Sequence, residues 1–596
     1  MFSLCQRLEP QEDRLCRQCM PAFNHPRTGS TSCGAFPEGG LLVNERGRMM
    51  KVILVGAMLL VTFVYLYSLN GQHIPSNGDE YPYMHITRMT AQSGALLPLQ
   101  SDLVDMRNTK PPMLFWQGIA STGWGQHWTQ WRLRWPSVAY TLLTGLMVYL
   151  VASKLRGPKA GLAGFLGYVI FISTYRYGRP FLTDPGLVFW LTLPCFVLLY
   201  YRSTIINSRW IYPLLAGLAL GIGFLYKSFI LALPVGATLG WWYWRERKYS
   251  LVEFIKRDSW KLILMMGVGL GLFSLWFVFD PDPGSIVREF IFKENIGKMG
   301  KGNYLVNLLW GDSTVWSLAI EFMLGTGLLI VPTVTMMYRA FRERRSAGSE
   351  ERMLWIWILT FFLVFTIPSQ RSARYLLPVT PALAVLLGLY WDRIPYWAYR
   401  IALVLAGLFI GGVTYSCFRL ANYAGASEMY PSYVWLILIV SIAVTVVALV
   451  RTRWMRGLVP VSLLLVYPCL TAFFHPLEHE PGRYPEDVIE QVRGREVWVT
   501  HNFNAKYERY RFLLPGADIH GYRAGDKLGP EELKSRYEYV GICCKMTDPA
   551  PTNGCTVLGS RLDVRTRHSG REIKEILFEN RLDHLFVKEY LVRSSR

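Results

Sequence analysis

Two adjacent carboxylates, Asp79 and Glu80, stand some ten residues beyond the first long apolar run, in Asn77-Gly78-Asp79-Glu80-Tyr81-Pro82-Tyr83. A carboxylate at the height of the lipid headgroups can orient or deprotonate a hydroxyl nucleophile. Further on, Asn108-Thr109-Lys110-Pro111-Pro112-Met113-Leu114-Phe115-Trp116 holds a lysine between a polar stretch and two prolines, with aromatics behind it. That is a fixed cation at a membrane surface, suited to stabilising negative charge as it develops. The segment after the carboxylates is predicted helical over roughly 81–93, with Tyr83, Ile86 and Met89 on one side and His85 and Arg88 off it. A purely structural reading is equally simple. Asp79 would cap that helix, and Lys110 would snorkel. These residues alone leave both readings open.

The elements that must position them are membrane helices. About 51% of the residues are apolar and only 18% are charged, below the roughly 25% charged of soluble domains. This excludes a disordered chain, a collagen and a disulfide-dense mini-protein, and argues against a purely soluble enzyme. Thirteen apolar runs are candidate spans: 51–69, 135–153, 159–175, 183–201, 210–226, 228–244, 260–279, 314–338, 353–367, 375–391, 397–417, 432–450 and 457–474. Lys227 alone splits the fifth from the sixth. The formal charge of +20 is concentrated in 51–474, which holds 37 basic and 19 acidic residues. Alternate loops carry that excess, as expected of cytoplasmic loops, and nucleic acid is not an expected partner. The pattern predicts a cytoplasmic N-terminus and an extracytoplasmic tail. The long loops 70–134 and 280–313 then lie outside and form the active-site face of a domain spanning 49–474.

Residues 1–48 read as disordered or as an over-extended start, with Met49-Met50-Lys51 resembling the beginning of a bacterial membrane protein. Cys16-Arg17-Gln18-Cys19 has the spacing of half a zinc site, but no second pair completes it. The tail, 475–596, is predicted to be a small α/β domain, with strands near 497–500 and 537–543 and helices near 505–514 and 571–580. Cys543, Cys544 and Cys555 would meet an oxidising compartment, which allows one disulfide of open pairing. His475, His479, His501 and His520 show no metal-ligand spacing. The fold class is thus an α-helical polytopic membrane protein of about thirteen transmembrane helices with external juxtamembrane helices and a small C-terminal extracytoplasmic α/β domain.

Asp-Glu-x-x-Tyr, then Gly94 and Pro98, then Lys-Pro-Pro-x-x-x-Trp, resembles the first external loop of the C-type superfamily of membrane glycosyltransferases. Within it, the resemblance is to the bacterial lineage of aminoarabinose-to-lipid-A transferases and protein O-mannosyltransferase-like enzymes. Arg179-Pro180-Phe181-Leu182-Thr183-Asp184-Pro185 resembles the family's second acidic motif, and Lys227 follows at the next outer turn. Phe292 to Met299 resembles the segment after the seventh span, and Ser372 to Pro378 a late span start. The chain departs from the pattern at Pro82, where the family usually has Arg, and at Asn295 and Lys298, often His and Arg.

The resemblance implies an inverting transfer of a sugar from a polyprenyl-phosphate carrier to lipid A, an envelope glycan or a protein hydroxyl, on the outer face of the bacterial plasma membrane. It makes Asp79 the catalytic base. Glu80 would share that role or support the fold, and Asp184 would organise the site or touch the acceptor. Lys110, Lys298 and Arg374 would neutralise the leaving phosphate, with Tyr375 as hydrogen-bond donor. Tyr83 and Lys227 complete the substrate-binding set. No cofactor is expected, and with several cations present a divalent ion is not favoured. The chain is expected to work as a monomer in the bilayer. The competing readings are a secondary transporter or flippase, an envelope polysaccharide polymerase or ligase, and an inactive scaffold. A transporter needs ionisable groups in mid-membrane and usually internal repeats, and the sequence has neither.

Overall fold

The computed structural model describes residues 38–595, apart from 74–77, 104–105, 207, 299–303, 312, 422–428, 501–504, 523–528, 566–567 and 580. The expectations for residues 1–37, Cys16 and Cys19 included, and for His501 lie outside the described residues. The first helix, α1 (Glu38–Leu66), starts ahead of the apolar run that begins at residue 51.

All thirteen apolar runs fold as helix, but not as thirteen full spans. Among the described residues, 8 helices are long and apolar enough to cross a membrane, or up to 9 if a bent pair counts as one. The shortfall has local causes. The run at 159–175 breaks at Phe171 into Pro158–Ile170 and Ile172–Gly178. The run at 210–226 gives the short helix Ile211–Tyr226, and the next opens in a 3₁₀ turn, Phe229–Leu231, before Ala232–Glu246. The run at 314–338 is bent by 104° between Val315–Leu324 and Gly327–Arg342, where Gly327 takes a φ of +61°. Ser349–Thr366 carries Glu350 and Glu351 in its first turn.

Small residues set how closely the helices approach. In Ile211–Tyr226, a Cβ on Gly217 would stand 2.8 Å from the Met265 carbonyl oxygen, and one on Gly221 would stand 3.0 Å from that of Gly269. This spacing lets the helix lie directly against Ser259–Phe279, as small residues four apart do in membranes. These contacts hold Lys227, at the end of the shorter helix, in a fixed place.

The tail forms a five-stranded sheet of order β2-β1-β3-β5-β4: β1 (Glu496–Thr500), β2 (Asp518–Tyr522), β3 (Tyr539–Lys545), β4 (Cys555–Val564) and β5 (Phe586–Ser594). β2, β1 and β3 run parallel, while β5 is antiparallel to both β3 and β4. Cys543, Cys544 and Cys555 are free thiols rather than a disulfide, and β5 separates the strand holding the first two from the strand that begins with the third.

The sheet domain docks on the long loop 70–134 through buried charge. The helix there, α2, spans Glu80–Gln92. His85 Nδ1 lies 2.8 Å and Arg88 Nη2 2.7 Å from Glu508 Oε1, and His85 Nε2 lies 2.7 Å from Asp102. Behind them, Glu478 accepts the backbone N–H groups of Gln72 and His73, each at 2.8 Å. Burial alone would lower the His85 pKa, but the hydrogen bonds to Asp102 and Glu508 raise it above its ordinary value. Burial alone would raise Glu508, but the bond from His85 and the charge of Arg88 bring it down to about 2. The contribution of Glu508 is therefore complete above the ordinary carboxylate range and lost as pH falls toward 2. That of His85 is complete below the ordinary histidine value and lost as pH climbs through the raised one. Docking is expected to be tightest between roughly pH 4.5 and 6.5. Hydrogen exchange of Tyr507–Leu513 in the detergent-solubilised protein checks this, and protection that stays flat from pH 3 to 9 would refute it.

Candidate active site

Five elements converge on one cavity of about 450 Å³. The start of α2 brings Asp79 and Tyr83. The loop before Met113–Ser121 brings Lys110. The start of Thr183–Tyr200 and the end of Ile211–Tyr226 bring Thr183 and Lys227. The 3₁₀ turn Ala373–Val379 brings Arg374 and Tyr375. A π-helix, Val287–Asn295, closes one side with Phe290, Lys293, Glu294 and Asn295. Such wide turns are rare and are found mostly at functional sites.

Asp184, almost fully buried, is the hub. It accepts from Lys227 Nζ at 2.7 Å and from Arg374 Nε at 2.8 Å and Nη2 at 2.7 Å. Arg179, five residues earlier in the same motif, is not among these partners. Instead, Arg179 donates to the carbonyls of Tyr65 and Tyr67, at 3.0 and 2.6 Å. Arg374 extends across to Asp79, so one guanidinium bridges the two carboxylates. Asp79 precedes the first turn of α2 but makes no side-chain cap bond, so the capping reading does not describe it. Lys110 does not snorkel either: its Nζ lies 2.9 Å from Glu294 on the π-helix. Tyr375 stacks on Phe365 at 5.4 Å between ring centroids and lies under the Lys227 ammonium at 5.3 Å. Burial raises the Tyr83 phenol above its ordinary value and keeps it a hydrogen-bond donor.

The structure thus brings together Asp79, Tyr83, Lys110, Asp184 (through its cation partners), Lys227, Arg374 and Tyr375. Lys298 closes the short turn Ile296–Lys298, and its side chain lies outside the described residues. Glu80 does not line the cavity. It is buried against Arg134, whose Nε and Nη2 reach its two oxygens at 2.7 and 2.8 Å, and it accepts the Phe181 N–H at 2.8 Å. Its neighbour Asp79, just before the helix, lines the cavity instead. Sequence reasoning missed Glu294 and Lys293 as lining residues, although both lie inside a motif it singled out. It also missed Arg134, which stands just ahead of the charge-free stretch 135–153 of its helix and was itself a signal.

Part of the cavity wall is apolar. Leu187, Ile230, Leu231, Phe290, Val364 and Phe365 line that part. A lining that combines charged and apolar side chains suits a phosphate carried on a lipid. Among the described residues, no three His, Cys, Asp or Glu side chains come together as a metal cage.

Residues 53–282 match the dolichyl-phosphate-mannose-protein mannosyltransferase family. An undecaprenyl phosphate-α-4-amino-4-deoxy-L-arabinose arabinosyl transferase of Pectobacterium carotovorum is 27% identical over 353 residues, 58% of this chain and 60% of that protein. The chain is similar in sequence and in fold to the aminoarabinose-transferase and protein-mannosyltransferase lineage of C-type membrane glycosyltransferases. A second arabinosyl transferase of the same description, from Proteus mirabilis, is 24% identical over 72% of this chain and 73% of its own length. The crystal structure of ArnT from Cupriavidus metallidurans bound to undecaprenyl phosphate superposes with a TM-score of 0.59 at 17% identity, covering 90% of this chain and 97% of that one. That likeness establishes the polytopic helical fold with its small C-terminal sheet domain. The match to the Pectobacterium relative covers less than two thirds of that protein's length.

Proposed function

We propose that this multi-pass membrane protein transfers a sugar from a polyprenyl-phosphate carrier to a hydroxyl-bearing acceptor on the outer face of the bacterial plasma membrane. One observation carries the reading: Lys110, Lys227 and Arg374 converge with Asp79 and Asp184 at a cavity that is also lined by apolar side chains. The resemblance to enzymes named for undecaprenyl-phosphate aminoarabinose transfer supports it. Residues 49–474 form the transferase part and 475–596 the extracytoplasmic domain. The alternation of basic loops supports a cytoplasmic N-terminus and an outer C-terminus.

In this mechanism the acceptor oxygen attacks the anomeric carbon from the face opposite the phosphate. The bond from that carbon to the phosphate oxygen breaks, and the configuration inverts. Asp79 takes the acceptor proton. The phosphate leaves with the bonding electrons, and Lys110 and Arg374 neutralise them. Asp184 aims Arg374 and Lys227 before the substrate arrives, so little reorganisation remains at the moment of reaction. The polyprenyl chain lies along Ile230, Leu231, Val364 and Phe365. Glu80 holds Arg134 and the Phe181 backbone, and so sets the start of α2 against the segment leading to Asp184.

The test is sugar transfer by the purified, reconstituted protein from undecaprenyl-phosphate-linked donors, with mass spectrometry of envelope lipids and glycans from cells with and without the gene. Transfer from no such donor, with an unchanged envelope, would refute the reading. Activity is also expected to survive strong chelation. The Arg374 guanidinium already bridges Asp79 and Asp184, where a divalent ion would otherwise join them. Loss on chelation with rescue by Mg²⁺ or Mn²⁺ would instead make Asp79 a metal ligand.

A further inference from the structure

A second cavity, of about 350 Å³, opens between the C-terminal half of α2 and the free edge of the sheet. α2 supplies Arg88 and Gln92, the loop after it Asp102, and β2 supplies Asp518 and His520. Its charges are matched. Arg88 and Arg511 both pair with Glu508, Asp102 pairs with His85, and Asp518 pairs with His520. With no cation in excess, this is a poor trap for phosphate. Nor does it suit an extended peptide added to the sheet, because Arg511 Nη2 already donates to the Ile519 carbonyl of the edge strand at 2.9 Å.

What the cleft offers is a dense mixture of donors and acceptors beside aromatic rings. The Asp102 and Asp518 side chains are 61% and 60% exposed, and Gln92 is exposed beside Arg88. Trp498 on β1 stacks with His520 at 5.0 Å and with Tyr537 at 4.1 Å between ring centroids. The row of rings reaches the sheet edge at His520. Vicinal hydroxyls, each both donor and acceptor, fit such a set, and the C–H face of a sugar ring fits beside the rings. α2 joins this cleft to the cavity. Asp79 precedes its first turn and Gln92 ends it, about 20 Å apart at 1.5 Å per residue.

We infer that this cleft is a second, non-catalytic saccharide site that holds a neutral sugar unit of the acceptor while its reacting hydroxyl sits at Asp79. The inference rests on the proposed function for the identity of the acceptor, but not for the binding itself. Saturation-transfer NMR on the full-length protein in nanodiscs, with maltose and N,N′-diacetylchitobiose as probes, tests it. At least one of the two is expected to bind. Binding is expected to weaken about tenfold in Gln92→Ala/Asp518→Ala, two exposed changes that remove hydrogen-bonding groups. Inorganic phosphate and an extended decapeptide should not compete. No signal from either sugar, a signal unchanged by the double variant, or displacement by phosphate or peptide would each overturn the site. Sugar binding without any transfer activity would refute the transferase reading and leave the site standing. Transfer activity without sugar binding would do the reverse.

Discussion

Asp79→Asn is expected to yield a folded protein whose sugar transfer has fallen by about 10²–10⁴, the usual effect of losing a general base. Asn keeps the size of the side chain and most of its hydrogen bonding but cannot accept the acceptor's proton. The geometry makes this a clean substitution. Asp79 lines the cavity and carries no cap bond to α2, so the helix loses nothing. Arg374 keeps its partner Asp184 when the Asp79 charge is gone, so the cation is not stranded. If capping were the role, Asp79→Asn would stay active and Asp79→Ala would melt lower, because Asn caps about as well as Asp and Ala does not. Transfer rates and detergent melting curves of both variants separate these outcomes. A folded and fully active Asp79→Asn protein would end the case for this residue as the base.

Much of the cavity was legible because a membrane span makes charge conspicuous. Asp184, Lys227 and Arg374 each sit at the end of an apolar run, and the loop prolines flag Lys110. Their pairing was not legible. Sequence spacing does not say that Arg374 reaches both Asp79 and Asp184, because that depends on how Thr183–Tyr200 and Ala373–Val379 pack. Glu294 was hidden for a different reason. A π-helix departs from the 3.6-residue period, so periodicity could not tell which side of 287–295 faces Lys110. The 104° bend at 324–327 was lost the same way, since hydropathy reads an apolar run and not its direction. In the tail, β1 and β3 have buried apolar positions that alternate or cluster, and both were found. β2, Asp-Ile-His-Gly-Tyr, has one fully buried residue and left no pattern to read. The docking charges His85 and Glu508 lie 423 positions apart, a pairing beyond any local signal.

The adjacent carboxylates show where composition stops and packing decides. Glu80→Gln is expected to cost about 3–5 kcal/mol of stability, the usual effect of removing one partner of a buried ion pair. The carboxylate meets Arg134 through two parallel bonds, and both side chains are almost wholly out of water. Gln leaves the guanidinium charged, buried and half-satisfied, still bound to the Leu69 and Gly71 carbonyls. The Phe181 N–H also loses its charged acceptor, which loosens the segment that carries Asp184. The double change Glu80→Gln/Arg134→Met should recover part of the lost stability, because it removes the stranded charge along with its partner. Transfer per folded molecule should remain far above that of Asp79→Asn. Melting curves, folded yield and rates normalised to folded protein measure all three quantities. The contrary pattern, a Glu80→Gln protein that melts like the parent and transfers nothing, would move the proton-accepting role from Asp79 to Glu80. The two substitutions differ by one position in the chain and are expected to fail in opposite ways, one in chemistry and one in folding, because one carboxylate faces the cavity and the other faces Arg134.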